Sequence, residues 1–267
     1  MRSIALIAFC AVANAANLKP ALQLRGGLAG LDSTTVATVG ASLFCANGVY
    51  CGIAPGPASE AYGLKDASFE VTQVIKYLGY TFVAFSILAL AVLKGVSVNR
   101  AIAWAQVPWI LVGLDNIWNG IAKKLGQPDF APFLLLAINC ATAYCGFTDT
   151  SMPLAATLNA AWCGLNGVFF ALKPDKGAEA WGMKADAKFE AMMKNMGYAL
   201  TACAVLTYYV ANGADITTAI GYAFVPTLLS IIDQLLVSKG FETLGADPAP
   251  AYVWGAIQMA VIAGTLA

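Results

Sequence analysis

Two aspartates close apolar runs in which an acid is costly. The stretches VPWILVGLD, Val107 to Asp115, and VPTLLSIID, Val225 to Asp233, share a valine, a proline, a leucine and the final aspartate at identical offsets. A carboxylate inside a membrane span costs on the order of 2.5–3.5 kcal/mol on the insertion scale, so a partner must offset it. Lys76 and Lys194 are the partners the sequence offers, each beginning the second apolar segment of its half of the chain. At about 1.5 Å of rise per residue, Asp115 stands about 12 Å along the axis from Lys123 and Asp233 about 9 Å from Lys239, a turn or two below the interface. Two ion pairs, Lys76 with Asp115 and Lys194 with Asp233, are therefore expected inside the bundle. Such a pair can orient two helices, or it can line a pathway for a proton, a cation or a cationic solute. Asn116, Asn119, Ser230 and Gln234 add polar groups on nearby faces and suit either role.

The elements that position these residues follow from composition. The 267 residues are 59% hydrophobic and 11% charged, with a mean hydropathy of +0.69, where a soluble domain has about a quarter of its residues charged. The lipid bilayer is thus the first partner. Fifteen basic and fifteen acidic residues cancel with no block of like charge, which argues against nucleic acid. There is no histidine, which removes the usual general base and the commonest zinc and haem ligand. The seven cysteines include no C-x-x-C pair and read as small apolar packing residues. No catalytic residue, metal or cofactor is expected.

The chain repeats itself. At a shift of 119, Asn47-Gly48-Val49 falls on Asn166-Gly167-Val168, Pro55 on Pro174, Glu60-Ala61 on Glu179-Ala180 and Gly63 on Gly182. One residue is then lost. At 118, Lys76 meets Lys194, Gly79-Tyr80 meets Gly197-Tyr198, Val107-Pro108 meets Val225-Pro226, and Asp115 meets Asp233. Each copy holds four apolar segments near the length a helix needs to cross the hydrocarbon core: 34–54, 72–94, 99–121 and 130–147, then 153–173, 190–212, 216–238 and 248–266. Backbone groups in lipid must be paired internally, so these are helices. The expected fold is all-α and integral to the membrane: eight transmembrane helices as two parallel four-helix repeats, 34–147 and 153–267, related by a pseudo-two-fold axis along the membrane normal. Pro108 and Pro226 lie inside the third span of each copy and should kink it. Gly48, Gly167, Gly79 and Gly197 suit close helix approach, with Asn47 and Asn166 bonding across helices.

Residues 1–15, MRSIALIAFCAVANA, have the layout of a cleavable signal peptide. Residues 16–33 read as a transit-like or flexible segment, and the whole presequence resembles the two-part targeting peptides of algae with complex plastids. Routing through the ER to a plastid or endomembrane is expected. Ten lysines fall on the face bearing the first-to-second and third-to-fourth connections of each copy, against Lys94 and Arg100 on the other. This places the lysine-rich loops in the cytosol or stroma and the N-terminus in the lumen.

The four-helix unit, with its proline-led loop ending in Tyr62-Gly63 or Trp181-Gly182, a glycine early in helix two and an acid late in helix three, is similar to the DoxX-like family of small membrane proteins. That resemblance implies a four-helix bundle for each half and little about activity. Two functions then compete: a non-catalytic subunit or assembly scaffold of a larger membrane complex, and a carrier of a small solute, cation or proton that uses the paired aspartates.

Overall fold

A computed structural model describes residues 32–64, 66–148, 152–182 and 186–266. The signal-peptide and transit-like readings of the first 31 residues, and the lysines Lys65 and Lys184, lie outside the described residues. Every regular element among the described residues is helical. The first half holds α1 (Ser33–Ile53), α2 (Pro55–Ala61), α3 (Phe69–Leu93), α4 (Val98–Ala105), α5 (Val107–Trp118), α6 (Ile121–Lys124) and α7 (Ala131–Phe147). The second holds α8 (Met152–Leu172), α9 (Pro174–Ala180), α10 (Ala187–Ala211), α11 (Ile216–Ile232), a π-helical turn (Asp233–Val237), α12 (Gly240–Leu244) and α13 (Ala249–Leu266).

Local chemistry sets the starts. Asp32 accepts from the Thr35 N–H, Ser68 from Val71, Asp186 from Phe189 and Asp215 from Thr218, each satisfying a donor that a helix N-terminus leaves unpaired. The Thr217 hydroxyl holds the Asp215 carboxyl below its ordinary range. Pro55 and Pro174 open α2 and α9, where the missing N–H is an orphan anyway.

Equivalent helices have equivalent bounds. Helices α1 and α8 are both 21 residues long and begin 119 residues apart, Ser33 against Met152. Helices α3 and α10 are both 25 long and begin 118 apart, Phe69 against Ala187. The third segments differ from expectation. Pro108 does not sit inside a helix: the 99–121 segment divides at Gln106, and Pro108 occupies the first turn of α5. Lacking an N–H, Pro108 opens the ladder. The Gln106 N–H bonds the Ala103 carbonyl, three residues back, and its side-chain Nε2 donates to the Ile102 carbonyl left free, at 3.1 Å. Its counterpart Phe224 has no such group, and α11 runs unbroken through Pro226.

The second copy carries its irregularity later. In the π-helical turn the Ser238 N–H bonds the Asp233 carbonyl five residues back, which fits one extra residue into the helix. Asp115 and Asp233 are 118 apart, whereas the left-handed residues that follow, Gly120 (φ 60) and Lys239 (φ 52), are 119 apart.

Among the described residues five helices are long and apolar enough to cross a membrane: Ser33–Ile53, Phe69–Leu93, Leu154–Leu172, Ile216–Val237 and Ala249–Leu266. The break at Gln106 removes α4 and α5 from that set, α7 has only 17 residues, and α10 carries Lys188, Glu190 and Lys194 in its first two turns. The described residues are thus all-helical, with helices of a length and composition that suit a membrane. Helices α3 and α10 pack on each other at the centre, α1 backs α3, and α8 backs α10. The last long helix of each half crosses over: α7 packs on α8, and α13 on α1.

Candidate functional site

The structure brings each lysine to the aspartate of its own half. Lys76 Nζ lies 2.6 Å from Asp115 Oδ2, and Lys194 Nζ lies 2.6 Å from Asp233 Oδ2. Helices α3 and α10 supply the lysines, α5 and the π-helical turn the acids. Both pairs are largely withdrawn from solvent. Asn119 donates to the second oxygen of Asp115 at 2.7 Å, and the Ser238 hydroxyl reaches Asp233 at 3.2 Å. A second link ties α3 to α5 and α10 to α11, in each case through the residue after the lysine. Tyr77 donates to Asn116 at 2.8 Å in the first half, and in the second Ser230 donates to Asn195, the counterpart of Tyr77, at 2.6 Å.

Beside each pair lies a cavity with walls from both halves of the chain. The first, about 70 Å³, takes Tyr77, Trp109 and Asn116 from the first half and Trp162, Asn166 and Trp181 from the second. The second, about 140 Å³, takes Asn195, Thr227 and Gln234 from the second half and Phe44, Asn47 and Tyr62 from the first. These linings correspond: Tyr77 with Asn195, Trp109 with Thr227 and Asn116 with Gln234 at 118; Asn166 with Asn47 and Trp181 with Tyr62 at 119. The loops interlock in the same exchanged sense. A Cβ on Gly63 would meet the Ala246 backbone at 3.0 Å, and one on Gly182 the Gly126 carbonyl at 2.5 Å.

The small residues sit where helices touch. A Cβ on Gly79 would meet the Gly52 nitrogen at 2.5 Å and the Gly48 carbonyl at 2.7 Å; one on Gly197 would meet the Ala171 nitrogen at 2.3 Å and the Gly167 carbonyl at 2.7 Å. The asparagines part company. Asn47 accepts from Tyr62 at 2.6 Å, and burial pushes that tyrosine hydroxyl well above its ordinary range. Asn166 instead donates to the Trp162 carbonyl of its own helix at 2.9 Å, because Trp181 in the place of Tyr62 has no hydroxyl to offer it.

Sequence reasoning missed a third feature. Gln106 Nε2 donates to Asn159 Oδ1 at 3.0 Å, and Asn159 Nδ2 to Thr207 at 2.7 Å, all three buried. At the corresponding positions of the other half stand Phe224, Gly40 and Ala89. There Phe44, Phe85 and Phe224 pack with ring centroids 4.6 to 5.6 Å apart. The signal available in the sequence was an amide at Gln106 within an apolar run, directly before Val-Pro.

Among the described residues no group of three or more Cys, Asp or Glu side chains is placed to hold a metal ion. No family model matches the chain, and comparison with curated proteins and with solved structures finds no match.

Proposed function

We propose that this protein is a non-catalytic integral membrane subunit or assembly scaffold of a larger membrane complex, built from two tandem DoxX-like four-helix units that cross the bilayer eight times. The lysine-rich loops face the cytosol or stroma and the N-terminus the lumen, after delivery through the ER to a plastid or endomembrane. One observation carries the role: each carboxylate within an apolar segment is closed by a lysine at 2.6 Å. A carboxylate held that way ties helix two to helix three, which supports a structural role. Outward-facing Trp118, Phe130, Tyr144 and Tyr252 are all more than half exposed, a surface suited to lipid or to neighbouring helices.

The test is purification from native membranes under mild detergent with the particle mass measured. A particle well above one 27.8 kDa chain with its micelle, holding other polypeptides in fixed proportion, is the expected result; a free monomer or dimer defeats the subunit reading. The second reading, a carrier for a small solute, cation or proton, draws on the two cavities walled by both halves. Its test is flux in reconstituted vesicles. Unchanged flux with Asp115→Asn and Asp233→Asn combined removes it.

A further inference from the structure

The two cavities correspond in position but not in chemistry. In the second, the places of Trp109 and Tyr77 are taken by Thr227 and Asn195, and Leu43, the counterpart of Trp162, is not in its wall. The first keeps three indoles and a phenol around about 70 Å³. Trp162 and Trp181 both line it and meet edge to face, centroids 6.1 Å apart and planes at 85°. The face of an aromatic ring is the negative end of its quadrupole and attracts a cation, indole most strongly.

Two further groups carry the same sign. Glu70, half-buried in the first turn of α3, is the one charged residue in the cavity wall, and it forms no ion pair among the described residues. Gln73, one turn on, is 7% exposed and lines the cavity. Its Oε1 is buried with no hydrogen-bond partner. A buried acceptor left unpaired is costly, and it calls for a donor from whatever occupies the space. The corresponding position in the second half is Ala191; the second cavity has unpaired buried acceptors at other positions, Gln234 Oε1 and Gln258 Oε1.

We propose that the first cavity binds a small organic ammonium group, with its charge against Trp109, Trp162, Trp181 and Tyr77, its N–H or polarised C–H groups toward Gln73 Oε1, and Glu70 balancing the charge. The cavity, about 70 Å³, is several times the ~10–15 Å³ that one water needs, room for a small group larger than water. Either the headgroup of a membrane lipid or a free amine supplies this chemistry. The proposal goes beyond the scaffold role and is independent of it.

The test titrates the delipidated full-length protein, in an uncharged maltoside detergent, by calorimetry with choline chloride and with its uncharged isostere 3,3-dimethylbutan-1-ol. Choline binds, and the isostere binds at least about tenfold more weakly. Trp181→Leu and Gln73→Leu each weaken choline binding about fivefold or more, and Glu70→Gln, a conservative change near the surface, weakens it in the same direction. Trp118→Leu, on the exposed outer surface, leaves it unchanged. Native mass spectrometry distinguishes the sources. A retained lipid with an ammonium headgroup, lost in Trp181→Leu and displaced by choline, identifies a lipid site, whereas choline binding with no retained lipid identifies a free amine. Equal affinity for choline and the isostere, or choline affinity unchanged in Trp181→Leu and Glu70→Gln, overturns the proposal, as does the absence of both choline binding and a retained ammonium lipid.

Discussion

Asp233 is the more deeply set of the two carboxylates, its side chain 12% exposed against 26% for Asp115. Losing one member of a withdrawn pair leaves an uncompensated charge, whereas replacing both members with apolar side chains leaves none. Asp233→Asn should therefore lower stability in detergent by about 1–3 kcal/mol, and Asp115→Asn by less. The double replacements Lys194→Met with Asp233→Leu, and Lys76→Met with Asp115→Leu, should lie within about 1 kcal/mol of the parent. Thermal or denaturant unfolding of the purified variants checks the order; a double replacement as damaging as its single would show that the charges do more than tie two helices. The glycines give a sharper contrast. Gly79→Ala drives a methyl into the Gly52 backbone, while Gly164→Ala meets only Ala204 at 3.6 Å. The first should cost roughly 1–3 kcal/mol and the second nothing measurable.

Elements of the same sequence pattern do not fold alike. The repeated Val-Pro sits at a helix start in α5 and in a helix interior in α11. The difference lies one residue before the valine-proline pair, where Gln106 can take over a freed carbonyl and Phe224 cannot. The lysine and aspartate partnership could be read from the chain because the repeat keeps both residues and rise per residue gives their depth. Neither the break at Gln106 nor the π-helical turn was legible that way. Both follow from hydrogen-bond exchanges of single side chains and one inserted residue, which apolar periodicity does not register. The inserted residue leaves Lys239 at φ 52, where the first copy has Gly120 at φ 60. A lysine there is strained, and its exposed 3.7 Å contact with Glu242 offsets little of the cost. Lys239→Gly should accordingly stabilise the protein by about 0.5–1 kcal/mol. A lower unfolding midpoint for this variant would show that the lysine holds the turn by a contact other than Glu242.

At the scale of the whole molecule, the exchange of partners between halves matters more than the likeness of the halves. Each half sends its first helix and following loop against the other's last helix, so α1 meets α13 and α8 meets α7. Both cavities draw walls from both halves as a result. The sequence repeat showed that equivalent residues recur, but shift arithmetic relates a residue to its copy and not to the residue it touches; Trp109 and Trp162, on one cavity wall, come from unrelated repeat positions. The proposed eight crossings, in two repeats of like orientation, make a definite statement about sidedness. Single cysteines placed at Asp129 and Asp247, in a background whose native cysteines are changed to alanine, should react with a membrane-impermeant maleimide from one side of sealed vesicles. Cysteines at Lys94 and Asn212 should react only from the other. If Asp129→Cys and Asp247→Cys label from opposite sides, the two copies run antiparallel and both ion pairs cannot share a leaflet; if Lys94→Cys labels with Asp129→Cys, α4 and α5 turn back at Gln106 without crossing.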